Sequence, residues 1–145
     1  KFYRLASLRI GYAVAQPALI QMILPYRIPP NHNRLGVAAA VASLADNESQ
    51  QETLHFMKKE KSHLTQALTN LGFKVIPSHA NFLFISLEGH PNAMIDKLAE
   101  QVIFKPGKYF GYPSHFRLTI GTTDQNRQVI EMVKQLIHKT KERLI

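Results

Sequence analysis

The sequence contains no cysteine among its 145 residues. Disulfide bonds and thiolate metal sites are therefore excluded, and the composition fits a reducing compartment, so we expect a cytoplasmic protein. No signal peptide is recognisable, and no apolar run reaches the roughly twenty residues that a membrane-spanning helix requires. The longest candidate, residues 5–24, is interrupted by Arg9, Gln16 and Gln21. We therefore expect a soluble protein without a membrane partner.

Acidic residues are scarce, since ten aspartates and glutamates face eighteen lysines and arginines and the formal net charge is +8. Such an excess favours phosphorylated or otherwise anionic partners without saying which. Basic residues are not clustered with aromatic ones, so a nucleic-acid partner is disfavoured. No internal repeat is present, and the length suits one domain, or one domain with part of another.

The first fifteen residues combine two cations with a small apolar run. Lys1 opens the stretch, Arg9 follows eight residues later, and residues 8–15 are predicted to form a strand. A guanidinium group binds a phosphate through two parallel hydrogen bonds, whereas a deprotonated amine is a nucleophile toward an aldehyde. Together these groups suit pyridoxal 5'-phosphate. The spacing alone is a weak pattern, because Arg9 is also compatible with an ordinary surface cation.

Three helices are predicted in the first half of the chain. The first runs from Pro17 to Leu24 and has proline in its first turn, and an irregular proline-rich segment follows over residues 26–33. Small side chains dominate the second helix, residues 33–46, so we expect a neighbouring segment to pack closely on it and bury it.

The third helix is long and amphipathic. Ser49 and Glu52 form a predicted capping box at its start, and Gly72 is predicted to end it. Lys61 interrupts its apolar stripe, which comprises Leu54, Met57, Leu64, Leu68 and Leu71. A helix of this kind is expected to bridge two halves of a larger enzyme rather than to bind a ligand.

The second half of the chain alternates strands and helices. The run at residues 82–85 is apolar on both faces, which predicts a central strand in a covered sheet. A helix is expected over residues 91–102, and a final helix begins at a capping pair formed by Thr122 and Gln125. The final helix has one apolar face, and extended segments are predicted at residues 73–77, 81–87, 103–106 and 116–120.

The last strand carries an arginine among apolar residues, in the sequence His115-Phe116-Arg117-Leu118-Thr119-Ile120-Gly121. Burying a guanidinium group without an anion is costly, so Arg117 is a candidate for binding a carboxylate or a phosphate. An internal salt bridge, or an outward-facing position on an alternating strand, explains the same residue equally well.

Several stretches resemble the fold-type I aminotransferases that depend on pyridoxal phosphate. Residues 1–15 are similar to the S-K-x-x-x-L-A-G-L-R-x-G-Y pattern of the histidinol-phosphate aminotransferases, with Ser7 in place of a usual glycine. Residues 26–33 resemble their P-F-N-V-N segment, residues 80–82 their A-N-F strand, and residues 104–122 their V-R-P … Y-G-x-P-x-x-L-R-I-T-I-G-T pattern. These stretches occur in the same order along the chain.

The resemblance implies an α/β fold in which this chain is the C-terminal part of a longer enzyme. Residues 1–46 would end the large cofactor-binding domain, residues 47–72 would form a bridging helix, and residues 73–145 would form a small α+β domain with helices packed on a short sheet. Further residues needed for the site would precede Lys1, so the 145 residues alone are expected to be inactive. The complete enzyme is expected to be a homodimer.

The resemblance also assigns roles to individual residues. Lys1 would bind pyridoxal 5'-phosphate covalently and carry protons as the catalytic residue, Arg9 would bind the cofactor's phosphate, and Arg117 would bind the substrate's anionic group. Lys105, where the pattern has arginine, and Asn81 are further candidates for substrate binding. Folding is expected to bring Arg9 and Arg117 to one cleft.

The implied reaction transfers an amino group between histidinol phosphate and 2-oxoglutarate or glutamate, as in histidine biosynthesis. Arg117 would serve both substrates, because a guanidinium group fits a carboxylate and a phosphate alike. Two alternatives stay open: another fold-type I enzyme, such as an aromatic aminotransferase or a threonine-phosphate decarboxylase, and a non-catalytic basic binding fragment with the same fold.

Overall fold

The computed structural model describes residues 2–29, 33–90, 93–100, 102 and 104–142. Lys1, the predicted catalytic residue, and the middle of the proline-rich segment lie outside these ranges. The chain divides into two compact units, Lys1–Leu54 and His55–Ile145. The three-part division at residues 46 and 72 stays a prediction. No helix in the described ranges combines the length and the apolar character needed to cross a membrane.

The first unit is helical in its described residues. A 3-10 helix at Ala6–Leu8 precedes helix α1 (Pro17–Ile23), a 3-10 turn at Leu24–Tyr26, helix α2 (Arg34–Ala45) and the beginning of helix α3 (Asn47–Asn70). Pro17 occupies the first turn of α1, as predicted, where a missing N–H group leaves no hydrogen bond unmade. The predicted positions of α1 and α2 are thus confirmed.

The strand predicted over residues 8–15 is wrong. Residues 6–8 form a 3-10 helix, and residues 10–16 have no regular structure. A strand exists only where a neighbouring strand satisfies its backbone groups, and the described part of this unit contains no strand. The side chains that suggested one, Tyr12 and Val14, are 88% and 87% exposed.

Helix α2 is less buried than its small side chains predict. Asn33 caps its first turn by accepting a hydrogen bond from the Gly36 N–H, and Gly36 is the buried residue of this helix. Its larger apolar side chains, by contrast, are exposed: Leu35, Val37, Val41 and Leu44. Small residues make close packing possible, but burial also needs a partner surface, which the described residues of this unit do not provide.

Helix α3 begins two residues earlier than predicted, because Asp46 rather than Ser49 caps it. The Asp46 Oδ1 atom accepts a hydrogen bond from the Ser49 backbone N–H at 3.0 Å. This bond, followed by one from the Ser49 side chain, lowers the pKa of Asp46. The predicted capping box of Ser49 and Glu52 is therefore wrong. At the other end, Gly72 adopts the left-handed conformation expected of a helix-terminating glycine, with φ of +90°.

The second unit contains a four-stranded sheet with strand order β1-β2-β4-β3. The strands are β1 (Lys74–Ile76), β2 (Phe82–Ser86), β3 (Lys105–Pro106) and β4 (His115–Thr119), and every neighbouring pair is antiparallel. Helix α4 (Ala93–Ala99) lies between β2 and β3 in the chain, and helix α5 (Thr123–Glu142) follows β4. The predicted small α+β arrangement is confirmed, although Pro91 and Asn92, the predicted start of α4, lie outside the described residues.

The hydrophobic core lies on one face of this sheet. Alternate residues of the two central strands are buried there, namely Leu83, Ile85, Phe116 and Leu118. Helices α3, α4 and α5 complete the cluster with Leu64, Leu68, Met94, Leu98, Ile130, Val133 and Leu136. On the opposite face, Phe82 and Phe84 are only half-buried. Strand β2 is therefore central, as predicted, but one of its faces is not fully covered.

A buried carboxylate joins α3 to the start of α5. Glu60 is 2% exposed, and its two oxygens accept hydrogen bonds at 2.7 Å from Thr123 Oγ1 and Asn126 Nδ2. These bonds, with that from Asn126 the larger influence, lower the pKa of Glu60 despite its burial. Thr122 and Gln125 make the predicted reciprocal capping bonds nearby. The interactions together fix the chain where it leaves β4 and enters α5.

Candidate functional site

The sheet face turned away from the core carries cations and aromatic rings. Directly opposite residues of antiparallel strands lie on the same face, and the register sets Arg117 between Phe84 on one side and Lys105 on the other. His115 lies two residues from Arg117 on β4 and therefore shares this face. We call Lys105, His115 and Arg117, with Phe82 and Phe84, the basic face. Two candidates identified separately in the sequence, Lys105 and Arg117, are thus cross-strand neighbours.

Arg117 is half-buried and lies against an aromatic ring. Its guanidinium carbon is 4.9 Å from the centroid of the Phe82 ring, a distance at which the cation is attracted to the ring face. Its Nε atom is buried and has no hydrogen-bond partner in the described structure. The internal salt bridge considered above is not found among the described residues. Arg117 therefore retains donors for an external anion.

Lys105 extends the positive charge of the basic face. Its Nζ atom lies 5.1 Å from the centroid of the Phe110 ring, and its backbone position is directly opposite Arg117. Like charges placed opposite each other destabilise a strand pair. Neither cation forms an ion pair within the described part of the chain, where the ion pairs join Arg127 to Asp124 and Lys134 to Glu131. An anion bound between Lys105 and Arg117 would relieve this repulsion.

Sequence reasoning missed His115 as a member of this face. Its ring stacks on Phe84, with centroids 5.0 Å apart and an angle of 18° between the planes, and it meets Tyr112 edge-on at 5.6 Å. The Nδ1 atom of His115 is buried and has no hydrogen-bond partner among the described residues. The signal was present in the sequence, because His115 directly precedes the strand predicted over residues 116–120 and is separated from Arg117 by one residue.

Asn81 lies one residue before β2. Its backbone carbonyl accepts a hydrogen bond from the Ile120 N–H at 3.1 Å, which extends the pairing of β2 with β4 by one step. The residue is half-buried. Its backbone thus has a structural role, and the substrate-binding role of its side chain stays a prediction.

Arg9 belongs to the first unit, at the end of the 3-10 helix Ala6–Leu8. Its φ of +50° places it in the left-handed region, which residues other than glycine rarely adopt. The Nη1 atom donates a hydrogen bond to the Ala6 carbonyl at 3.2 Å, and the side chain is exposed. Because that bond uses one of the five N–H donors of a guanidinium group, Arg9 retains donors for a ligand.

Both the sequence and the structure of this chain are similar to those of known proteins. Residues 1–133 match the family described as Aminotransferase class I and II. The histidinol-phosphate aminotransferase of Moorella thermoacetica is 35% identical over 138 residues, which make up 94% of this chain and 36% of that protein. The chain thus spans little more than a third of the length of this curated relative.

Solved structures of related proteins have the same fold. The histidinol-phosphate aminotransferase of Clostridium acetobutylicum superposes with a TM-score of 0.86 and 25% identity, over 96% of this chain and 44% of that one. The enzyme of Sinorhizobium meliloti in complex with pyridoxal-5'-phosphate gives a TM-score of 0.80 at 22% identity, over 97% of this chain and 39% of that one. The predicted fold class is confirmed. The chain belongs to the class I and II aminotransferase family.

Proposed function

We propose that these residues form the C-terminal part of a pyridoxal-phosphate-dependent aminotransferase that transfers an amino group between histidinol phosphate and 2-oxoglutarate or glutamate. The observation that carries the proposal is the pair of cross-strand cations, Lys105 and Arg117, on the basic face without an acidic partner among the described residues. The relatives named histidinol-phosphate aminotransferase support the choice of substrate.

The two cations suit the two anions that such an enzyme has to bind. A guanidinium group presents paired N–H donors that match the two oxygens of a carboxylate, so Arg117 suffices for glutamate or 2-oxoglutarate. A phosphate monoester carries a third terminal oxygen and additional charge. The ammonium group of Lys105 is a compact point charge, and it would bind the third oxygen and balance the additional negative charge. Arg117 would therefore serve both substrates, whereas Lys105 would favour the phosphorylated one.

The exposed guanidinium group of Arg9 fits the phosphate of pyridoxal 5'-phosphate, because its unused N–H donors match phosphate oxygens. The cofactor, when bound, supplies an electron-withdrawing ring that makes the proton on the substrate's α-carbon removable. Lys1, which lies outside the described residues, is proposed to hold the cofactor covalently and to carry that proton. The side chain of Asn81 is proposed to line the substrate side of the site.

We also propose that the complete protein is a cytoplasmic homodimer. Helix α1 and the turn after it expose several large apolar side chains, namely Leu19, Met22, Ile23, Leu24 and Tyr26. Apolar patches of this kind are commonly covered by another protein surface. Sedimentation equilibrium of the full-length protein tests the proposed dimer, and a monomer at micromolar concentration would contradict it.

The central test replaces the cations of the basic face in the full-length enzyme. We expect Arg117→Lys to raise the KM for both histidinol phosphate and glutamate by about tenfold or more, because paired hydrogen bonds to an anion are lost. Lys105→Gln should raise mainly the KM for histidinol phosphate. Lys58→Gln, which removes the same charge from an exposed position of helix α3, on the core side of the sheet, is the matched control.

Unchanged KM values for both substrates in the Arg117→Lys variant would contradict the proposed substrate site. Phenylalanine and threonine phosphate, assayed with the parent enzyme, separate the proposed reaction from the two enzyme alternatives. Lys1→Ala separates all three enzymes from a non-catalytic binding protein, since only an enzyme loses turnover with this change.

A further inference from the structure

One side chain joins the start of α2 to the turn that carries Arg9. The Oδ1 atom of Asn33 accepts a hydrogen bond from the Gly36 N–H and so caps the helix. The Nδ2 atom of the same side chain donates to the Leu8 carbonyl at 2.8 Å, across 25 residues of sequence. Leu8 is the residue directly before Arg9. The Asn33 amide therefore connects a helix terminus to the backbone of a proposed cofactor-binding residue.

The two bonds require an amide in one orientation. The helix cap needs an acceptor and the Leu8 carbonyl needs a donor, and a primary amide supplies both whereas an ionised carboxylate has no donor. Gly36 makes room for this arrangement, because a Cβ atom there would lie 2.9 Å from Asn33 Oδ1 and 3.0 Å from Nδ2. A side chain at position 36 would thus force the amide to move.

The turn that Asn33 holds is a strained one. Arg9 has φ of +50°, and a residue other than glycine keeps such a conformation only where its surroundings impose it. Within the turn, the Leu8 N–H bonds to the Leu5 carbonyl at 3.1 Å and the Arg9 N–H bonds to the Ala6 carbonyl at 3.3 Å. For residues 6–9, the described structure shows one hydrogen bond from a distant side chain, that of Asn33.

We propose that Asn33 is a positioning residue for Arg9. By fixing the Leu8 carbonyl, it keeps the turn in the conformation from which the Arg9 guanidinium group reaches the phosphate of the cofactor. The inference rests on the proposed function, in which Arg9 binds that phosphate. In this proposal Asn33 acts through the Leu8 carbonyl rather than by binding the cofactor itself.

The test is the Asn33→Asp variant of the full-length apoenzyme. Aspartate is as good a helix cap as asparagine, but it replaces the Nδ2 donor by an oxygen that repels the Leu8 carbonyl. We expect the Kd for pyridoxal 5'-phosphate, measured by absorbance titration, to rise about tenfold. The Kd for pyridoxal, which has no phosphate, should stay within twofold of the parent value. Gly36→Ala, which crowds the same amide, should act in the same direction.

Two further variants separate this inference from the proposed function. Arg9→Gln should weaken the binding of pyridoxal 5'-phosphate but not of pyridoxal. The double variant Arg9→Gln, Asn33→Asp should bind like Arg9→Gln alone, because Asn33 acts through Arg9. If Arg9→Gln has no effect on either Kd, both the role of Arg9 and the inference fail. If Arg9→Gln weakens binding and Asn33→Asp does not, or if the two effects add, only the inference is overturned.

Discussion

Replacing Glu60 by glutamine measures what the buried carboxylate contributes to the second unit. Glu60 accepts hydrogen bonds of 2.7 Å from Thr123 and Asn126. Hydrogen bonds to an ionised group contribute about 1.5–3 kcal/mol each, and bonds between neutral groups about 0.5–1.5 kcal/mol. Glutamine has the same shape and can accept from Asn126 while donating to the Thr123 hydroxyl. The variant therefore loses only the charge-dependent difference, which we expect to lower the free energy of unfolding by about 2–3 kcal/mol for both bonds at pH 7.

The loss of stability caused by Glu60→Gln should become smaller as the pH falls. The pKa of Glu60 is lowered in the folded chain, so the ionised carboxylate stabilises the folded state at every pH above its unfolded-state pKa, about 4.3. The contribution is lost as pH falls below that value and through the folded-state pKa, because the protonated acid resembles glutamine. The parent chain and the Glu60→Gln variant should therefore approach equal stability in acid.

Urea unfolding followed by circular dichroism suits this chain, which has no tryptophan to report on its core. Glu131→Gln is the control, because Glu131 is an exposed residue that pairs only with Lys134 in the described structure, and such surface pairs contribute about 0–1 kcal/mol. Equal urea midpoints for the parent chain and Glu60→Gln at pH 7, with equal slopes, would refute the reasoning. They would mean that the cost of burying the carboxylate cancels its hydrogen bonds.

Two glycine substitutions test turns that support the sheet. Gly72→Ala should lower the free energy of unfolding by about 1 kcal/mol in urea unfolding, because alanine is strained at the φ of +90° that ends α3. Gly107→Ala should lower the thermal midpoint and raise the KM for histidinol phosphate in the full-length enzyme, because its Cβ would collide with the backbone carbonyls of Tyr112 and His115. Gly11→Ala, where a Cβ meets nothing within 4 Å, is the control for both, and an equal loss in that variant would contradict the two explanations.

The second unit could be predicted from its sequence because its elements bury their apolar residues on one another. Strands β2 and β4 both place alternate residues, such as Leu83 and Leu118, in the core. Helix α5 buries Ile130 and Val133 at helical spacing. Each local pattern therefore agrees with the tertiary structure, which is the condition under which periodicity is informative.

The first unit was predicted less well because its apolar patterns find no packing partner among the described residues of the unit. Residues 8–15 have the composition of a strand, but no described strand of the unit pairs with them. Helix α2 has the small residues of a closely packed helix, yet Val41 is 63% exposed. The start of α3 was mispredicted for a different reason. Aspartate and serine both cap helices well, and the backbone geometry determines that Asp46 rather than Ser49 does so.

The arrangement of the candidate site could not be predicted from the spacing of residues along the sequence alone. Arg117 was a candidate because of its apolar neighbours and Lys105 because of the family resemblance, but their direct opposition depends on the register of β3 against β4. Glu60 was overlooked because a glutamate beside Lys61 on a helix looks like part of a solvated face. Its burial depends on Asn126, which is 66 residues away. Such long-range pairs follow from tertiary structure rather than from local pattern.

Alternate residues of strand β4 lie on opposite faces of the sheet, one set in the core and the other on the basic face. Phe116 and Leu118 are buried in the core, whereas His115 and Arg117 lie on the basic face because side chains alternate along a strand. The opposition of Arg117 to Lys105 works against folding, and it is tolerated on a face where each cation contacts an aromatic ring. Cation–π contacts do not use N–H donors in hydrogen bonds, and neither cation forms an ion pair within the described residues. Aromatic partners thus stabilise the charges without competing for an anion, as acidic partners would. This is why we propose anion binding, rather than a structural ion pair, as the role of this face.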